Sequence, residues 1–148
     1  MVNRVEKTEA EWKEQLTPEA FQVTRKAGTE RAFTSELNGN KTEGVYSCAC
    51  CGSELFTSET KFDSGTGWPS FYAPSKPENI KSKKDFKMFI PRTETLCAVC
   101  DAHLGHVFGD GPQPTGQRYC MNGVALSFEP KDVDGDGQIE NSKAQAAS

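Results

Sequence analysis

Two short stretches of the sequence, CACC at residues 48–51 and CAVC at residues 97–100, decide how the chain folds. Each is a Cys-x-x-Cys pair that can turn two thiolates toward one metal ion, and the two pairs together supply four soft ligands. A metal held by four cysteines keeps no open position for water, so we expect a structural zinc ion that ties two distant loops together. The predicted ligands are Cys48, Cys51, Cys97 and Cys100.

A fifth thiol, Cys50, lies inside the first pair. Only the preferred spacing of two residues between ligands favours Cys48 over Cys50 as the partner of Cys51. We interpret Cys50 as an idle, partly exposed thiol. Disulfides and a redox pair of the thioredoxin type are weaker interpretations of the paired cysteines. The first needs an oxidising compartment, and the second needs a strand-to-helix setting that neither pair has.

The composition fits one globular domain in a reducing compartment. The chain has 148 residues, of which 26% are charged and 35% hydrophobic, and a net charge of -4. This charge argues against a partner with a phosphate backbone. Residues 1–16 carry no apolar segment, and no stretch reaches the roughly 18 apolar residues of a membrane span. We therefore expect a cytoplasmic protein, or an organellar one if a leader was removed, without nucleic-acid or membrane partners.

The N-terminal part predicts two short helices. Thr8 is a candidate N-cap with Glu11 three residues later, and Thr17 is a second N-cap followed by Pro18 at the first helical position. One apolar face of these helices should pack against the rest of the domain. It is formed by Trp12, Leu16, Ala20 and Phe21.

From Gly44 onward the sequence changes to short β-type runs separated by Gly, Pro, Asn and Asp. The runs at residues 45–47, 87–91 and 117–128 predict a mostly β, antiparallel domain with long loops. A period of two would place six notable residues on one face of a strand: Arg118, Cys120, Asn122, Val124, Leu126 and Phe128. We therefore expect a single strand over residues 117–128.

The chain is expected to divide into three parts: a partly helical N-terminal extension at residues 1–16, a domain at 17–130 and a tail at 131–148. The tail loses apolar content and ends in small polar residues, which predicts disorder. Its aspartates imitate the start of a calcium loop, but Lys143 stands where the bidentate Glu is required.

Cys120 stands apart from both pairs, and Arg118 and Asn122 flank it at strand spacing. A lone Cys on a strand is more often a buried small hydrophobe than a nucleophile. A cation beside the thiol, however, favours the reactive thiolate. The only two histidines, His103 and His106, follow the second zinc pair. Acid-base or substrate-binding roles are one interpretation, and metal ligation or a plain loop role are the others.

Three strings give a specific resemblance: SGTGWPSFY at residues 64–72, CAVCDAHLGHVFGDGPQPTGQRYCMN at residues 97–122, and the CACCG pair. The chain resembles the methionine-R-sulfoxide reductases, the MsrB family, over roughly residues 17–130. The resemblance implies two antiparallel sheets in a partly open barrel and reduction of the R epimer of methionine sulfoxide, mainly in proteins. The implied site has Cys120 as nucleophile, Trp68 and Phe108 against the substrate, and His103, His106, Asn122 and Arg118 on its polar side.

In the implied reaction Cys120 attacks the sulfoxide sulfur, a histidine neutralises the developing oxyanion, and Cys120 becomes a sulfenic acid as methionine leaves. The chain departs from the common family pattern at Thr66, where many members carry a resolving cysteine. Thioredoxin or another thiol reductant then reduces the sulfenic acid directly, which we favour. The alternative is that Cys50 resolves it through an internal disulfide.

A non-enzymatic alternative is a zinc-clipped β domain that binds a protein partner, with Cys120 merely buried and Trp68 on an interaction surface. Replacement of Cys120 by Ser would silence a reductase and leave a binding module intact. A zinc-ribbon nucleic-acid module fits poorly, because the chain lacks a basic surplus and its two pairs lie further apart than those of an ordinary ribbon.

Overall fold

The computed structural model describes residues 5–85 and 92–131, which begin with two short helices. Helix α1 (Glu9–Gln15) starts with a capping box, in which the Glu11 N–H donates to the Thr8 hydroxyl and the Thr8 N–H donates to the Glu11 carboxylate. Helix α2 (Pro18–Arg25) has Thr17 as its N-cap. Both predicted helix starts are confirmed, since these caps satisfy N–H groups that the first turn leaves free.

Nine strands follow within the described residues, and all of their pairings are antiparallel. They are β1 (Gly44–Cys48), β2 (Glu54–Thr57), β3 (Lys61–Phe62), β4 (Ser70–Phe71), β5 (Ile80–Asp85), β6 (Arg92–Cys97), β7 (His103–Phe108), β8 (Arg118–Met121) and β9 (Leu126–Pro130). One sheet has the order β2-β1-β9, and the other has the order β3-β4-β8-β7-β6-β5. The predicted fold class is confirmed, and neither sheet closes into a complete barrel within the described residues.

An aromatic cluster joins the two sheets at the centre of the core. The ring of Phe71, in the six-stranded sheet, lies 4.3 Å from that of Phe56 and 5.0 Å from that of Tyr46, both in the three-stranded sheet. All three side chains are fully buried. Aromatic pairs of this kind stabilise by about 0.5–1.5 kcal/mol beyond the burial of their area. The cluster therefore fixes one sheet against the other.

The two helices pack their predicted apolar face on this core. The buried members are Trp12, Ala20 and Phe21, and Leu16 is partly buried. The Arg25 guanidinium lies 4.4 Å over the Trp12 ring and donates to the Cys100 carbonyl at 2.7 Å. Helix α2 is thereby tied directly to the loop of the second cysteine pair.

The prediction of a single strand over residues 117–128 is wrong. A 3-10 turn at Gly123–Ala125 divides this segment into β8, in the six-stranded sheet, and β9, in the three-stranded sheet. The turn is closed by the Ala125 N–H, which donates to the Asn122 carbonyl at 3.0 Å. A Cβ at Gly123 would lie 1.9 Å from a neighbouring side-chain oxygen. The chain thus crosses between sheets at a crowded point, and the period of two ends there.

Three predictions fall on residues that the structure does not describe. One is the β-type run at 87–91. The other two, the disordered tail and the calcium-like aspartates, lie within 132–148. The run at 45–47 is confirmed as part of β1. Among the described residues no helix has the length and apolar content needed to cross a bilayer. The division of the chain at residues 16 and 130 stays a prediction.

Candidate metal centre and active site

The four predicted metal ligands come together where the two sheets meet. Cys48 ends β1 and Cys97 ends β6, and a tight turn after each brings the second cysteine of the pair back toward the first. The residue after each pair has a positive φ, 81° at Gly52 and 67° at Asp101. Its N–H donates to the carbonyl of the first cysteine at 2.8 Å in both turns. The two pairs therefore fold locally in the same way.

The positions of the thiols fit one tetrahedral ion. Their Sγ atoms all lie within 4.8 Å of one another, with 3.7 Å between Cys48 and Cys100 and 3.6 Å between Cys51 and Cys97. Zn–S bonds of about 2.3 Å in a tetrahedron separate the sulfurs by about 3.8 Å. None of the four forms a disulfide. Hydrogen bonds within the cluster lower the pKa of Cys51 and raise that of Cys48, so the four thiols interact closely with one another.

Cys50 is buried beside this cluster and lies outside the pocket around Cys120. It is 6% exposed. Its carbonyl accepts from the Gln15 side chain at 2.7 Å, and its thiol lies within hydrogen-bonding reach of Thr24 in α2. To reach Cys120, the turn that carries Cys50 would have to leave both helices, which weighs against an internal disulfide.

Cys120 is half-buried on β8 in a pocket of about 300 Å³. His106 of β7 is its partner across the sheet. The predicted site residues that line the pocket are Trp68, His106, Phe108, Arg118, Cys120 and Asn122. His103 is not among the lining residues; it is 5% exposed, and its ring centroid lies 5.7 Å from that of His106. The structure thus brings an indole, an imidazole and a guanidinium around one thiol.

Two partners fix the orientation of Arg118. Its Nε and Nη2 donate to the two carboxylate oxygens of Asp110 at 2.9 and 3.2 Å, and its guanidinium lies 4.4 Å over the Phe108 ring. Hydrogen bonding to Asp110 raises the pKa of Arg118, with Cys120 as a smaller contributor, and the same bond lowers the pKa of Asp110. A bidentate pair combined with stacking allows the guanidinium few orientations. Sequence reasoning missed Asp110, which lies in a Gly-rich loop typical of turns.

Glu94 of β6 orients His103. Its Oε2 lies 2.6 Å from His103 Nδ1, so an ionised carboxylate holds the imidazole proton on Nδ1. The Nε2 atom of His103 is buried without a hydrogen-bond partner in the described part of the chain. Across the sheet Glu94 is also paired with His106. The arrangement leaves His103 Nε2 as a buried proton-accepting atom on a ring that neighbours His106.

A chain of hydroxyl groups ends at the Cys120 thiol. Thr66 Oγ1 lies 3.7 Å from Cys120 Sγ and 2.8 Å from the Ser64 hydroxyl, which lies 2.7 Å from that of Ser70. The Ser70 hydroxyl donates to the Trp68 carbonyl at 3.1 Å. Each hydroxyl carries one proton, so in this arrangement Ser64 donates to Ser70 and Thr66 donates to Ser64. Thr66 is left with an oxygen lone pair that faces Cys120.

Glu30 is a buried acid that connects the site's separate segments, and sequence reasoning missed it. Its N–H donates to Asn122 Oδ1 at 2.9 Å, its carbonyl accepts from Trp68 Nε1 at 3.0 Å, and its Oε1 accepts from the Val124 N–H at 3.0 Å. The residue is 3% exposed, and burial raises the pKa of its carboxyl. The backbone N–H groups of Gly123 and Val124 lower this pKa, but by less than burial raises it. No local pattern distinguishes this Glu from other loop acids.

The chain is similar to proteins of one family over most of its length. The SelR domain matches residues 16–130. The peptide methionine sulfoxide reductase MsrB of Hahella chejuensis is 55% identical over 140 residues, which cover 95% of this chain and 99% of that protein. The MsrB of Methanosarcina mazei is 52% identical over 133 residues, 90% of this chain and 95% of that protein. The chloroplastic reductase B1 of Arabidopsis thaliana is 61% identical over 122 residues, 82% of this chain and 60% of that protein.

Proposed function

This chain belongs to the SelR-domain family of peptide methionine sulfoxide reductases of the MsrB type, and we propose that it reduces the R epimer of methionine sulfoxide in polypeptides. One observation carries the proposal: the half-buried Cys120 thiol shares one pocket with the indole of Trp68, the guanidinium of Arg118 and the imidazole of His106. A single thiol in such a pocket fits the role of nucleophile.

The lining of the pocket offers a partner for each of the two groups on a sulfoxide sulfur. The methyl group is apolar and fits the indole of Trp68, whose Nε1–H is already donated to the Glu30 carbonyl and so cannot compete for the sulfoxide oxygen. The oxygen fits the guanidinium of Arg118 and the imidazole of His106, which also line the pocket. With methyl and oxygen fixed, only one configuration at sulfur faces Cys120, and this supports selection of one epimer.

In the proposed reaction the Cys120 thiolate attacks the sulfoxide sulfur. The S–O bond of the substrate breaks, and the oxygen ends on Cys120 as a sulfenic acid. The methionine sulfur gains two electrons, and the Cys120 sulfur loses two. The proton released by the Cys120 thiol is returned to the oxygen through His106 or His103, and Glu94 holds His103 in the tautomer that accepts at Nε2. Arg118 stabilises the negative charge that develops.

We further propose that an external dithiol such as thioredoxin regenerates the enzyme. Its first thiol displaces water from the sulfenic acid and forms a mixed disulfide, and its second thiol releases reduced Cys120. Two observations support this route over an internal disulfide. The side chain that faces Cys120 from the loop before β4 is Thr66, which has no thiol, and Cys50 is buried under the helices.

We propose zinc as the ion of the four-cysteine cluster, because soft thiolates at these separations suit it. Cys48 and Cys51 would hold it from the three-stranded sheet, and Cys97 and Cys100 from the six-stranded sheet. When bound, the ion supplies a cross-link between the two sheets. The reaction at Cys120 requires no chemistry from it.

The decisive experiment is a single-turnover reaction with separated R and S epimers of a methionine sulfoxide peptide, scored as methionine formed and thiols remaining per enzyme. We expect one methionine from the R epimer alone, the loss of one thiol, and no product with Cys120→Ser. If the folded, metal-loaded protein forms methionine from neither epimer, the reductase proposal is wrong and a partner-binding module is favoured. The cytoplasmic location stays a prediction, which cell fractionation would test.

A further inference from the structure

Phe33 is the one large hydrophobic side chain that is exposed in the described part of the chain, and 71% of its surface faces solvent. A single exposed apolar group proves nothing by itself, because most protein surfaces carry a few. Phe33, however, also has a φ of 66°, in the left-handed region that disfavours bulky side chains. The fold therefore keeps this ring in water by means of a strained backbone.

Two hydrogen bonds hold Phe33 in place. Its N–H donates to the Gly67 carbonyl at 2.7 Å, and the Thr34 hydroxyl donates to the Arg31 carbonyl at 2.5 Å, which closes the turn that carries the ring. The ring lies against Gly67, where a Cβ would approach it to 2.6 Å. Gly67 itself has a φ of 92°, so this position suits glycine on two grounds. The exposed ring is therefore fixed against the loop and is not a loose surface group.

The position of the ring relates it to the pocket. Gly67 lies between Thr66 and Trp68, both of which line the pocket around Cys120, and Thr29 lines it from the segment that leads to Phe33. Phe33 therefore packs on the loop position whose two neighbours in the chain line the pocket.

The size of the pocket indicates which group meets Phe33. A volume of about 300 Å³ is at the small end of ligand pockets and suits one oxidised methionine side chain. The residues before and after it must then lie on the rim. We propose that Phe33 docks an apolar side chain next to methionine sulfoxide in an extended polypeptide substrate. This inference rests on the proposed function and specifies its substrate class as sulfoxides flanked by apolar residues.

The test compares single-turnover rates, at sub-saturating substrate, for three R-sulfoxide substrates: N-acetylmethionine sulfoxide amide and two short peptides with Leu or Ser on both sides of the sulfoxide. Phe33→Asn removes the ring and tolerates a positive φ, and Phe33→Leu is the matched control that keeps an apolar surface. Thermal unfolding confirms that both variants are folded. A single turnover needs no reductant, so docking of a reductant cannot affect these rates.

We expect the wild-type protein to prefer the Leu-flanked peptide over the Ser-flanked one, and Phe33→Asn to reduce that preference about tenfold, equivalent to about 1.4 kcal/mol. Phe33→Leu should keep most of it. Equal rate losses on all three substrates would overturn the inference, because Phe33 would then act only through the Trp68 loop. An unchanged preference in Phe33→Asn would also overturn it, even if multiple turnovers with thioredoxin were slowed. Failure of the wild-type protein on all three substrates would refute the proposed function itself.

Discussion

Replacement of Glu30 by Gln should change how the stability of the protein depends on pH. The Gln side chain keeps an oxygen that can accept from the Val124 N–H, as Glu30 Oε1 does at 3.0 Å, and it removes the charge. The second carboxylate oxygen, Oε2, is buried without a hydrogen-bond partner in the described residues. An ionised carboxylate in this position is costly, which explains why burial raises its pKa above the ordinary value of 4.5.

The sign of the effect follows from proton binding. Between pH 4.5 and the raised pKa of the folded state, folded wild-type protein holds a proton on Glu30 that the unfolded chain has released. The free energy of unfolding therefore falls as pH rises through this window, by at most about 1.4 kcal/mol per pH unit from this group. The Gln side chain of Glu30→Gln does not titrate, so the free energy of unfolding of the variant does not fall in this window on account of residue 30. The stability of the variant relative to wild type should then increase from pH 4.5 upward and level off above the folded-state pKa.

Urea unfolding of both proteins at a series of pH values measures this difference directly. Glu30→Ala serves as the control for the hydrogen bond, because it leaves the Val124 N–H unpaired and should be about 1–3 kcal/mol less stable than Glu30→Gln at every pH. A difference between wild type and Glu30→Gln that stayed constant with pH, or fell as pH rose, would show that the buried carboxyl does not titrate as its surroundings require.

Three further changes test the site. Thr66→Cys places a thiol where an oxygen lies 3.7 Å from Cys120 Sγ, so the new thiol should form a disulfide with oxidised Cys120. We therefore expect thiol titration to show two thiols lost per single turnover. A loss of only one would contradict the contact. A lysine in the variant Arg118→Lys cannot form the bidentate pair with Asp110 or stack on a ring, so we expect kcat/KM to fall about tenfold or more. Kinetics equal to those of the wild type would show that Arg118 does not act on the substrate. Chelation of the metal, or the substitution Cys97→Ser, should lower the Tm measured by circular dichroism, because a closed metal site contributes directly to folding free energy. An unchanged Tm would reject a structural ion.

The sequence by itself determined the features that depend on neighbouring residues. The helix starts at Thr8 and Thr17 were predictable because a cap and the N–H groups it satisfies lie within three residues. The metal cluster was predictable because a Cys-x-x-Cys pair closes in one tight turn, so that only the meeting of two pairs had to be inferred. Cys120 and most of the residues that share its pocket were singled out by long motifs that resemble a known family, and the role of Cys120 as nucleophile stays a proposal.

Only the tertiary structure decided which distant segments meet at the site. Glu30 contacts Asn122 and Val124 from 92 and 94 residues away, and nothing in a polar loop indicates such partners. The break between β8 and β9 was missed for a related reason, because a regular alternation continues through Gly123 in the sequence while the chain crosses from one sheet to the other. Capping and turn formation depend on local backbone geometry, whereas burial of an acid and the exit of a strand from its sheet depend on what packs against them.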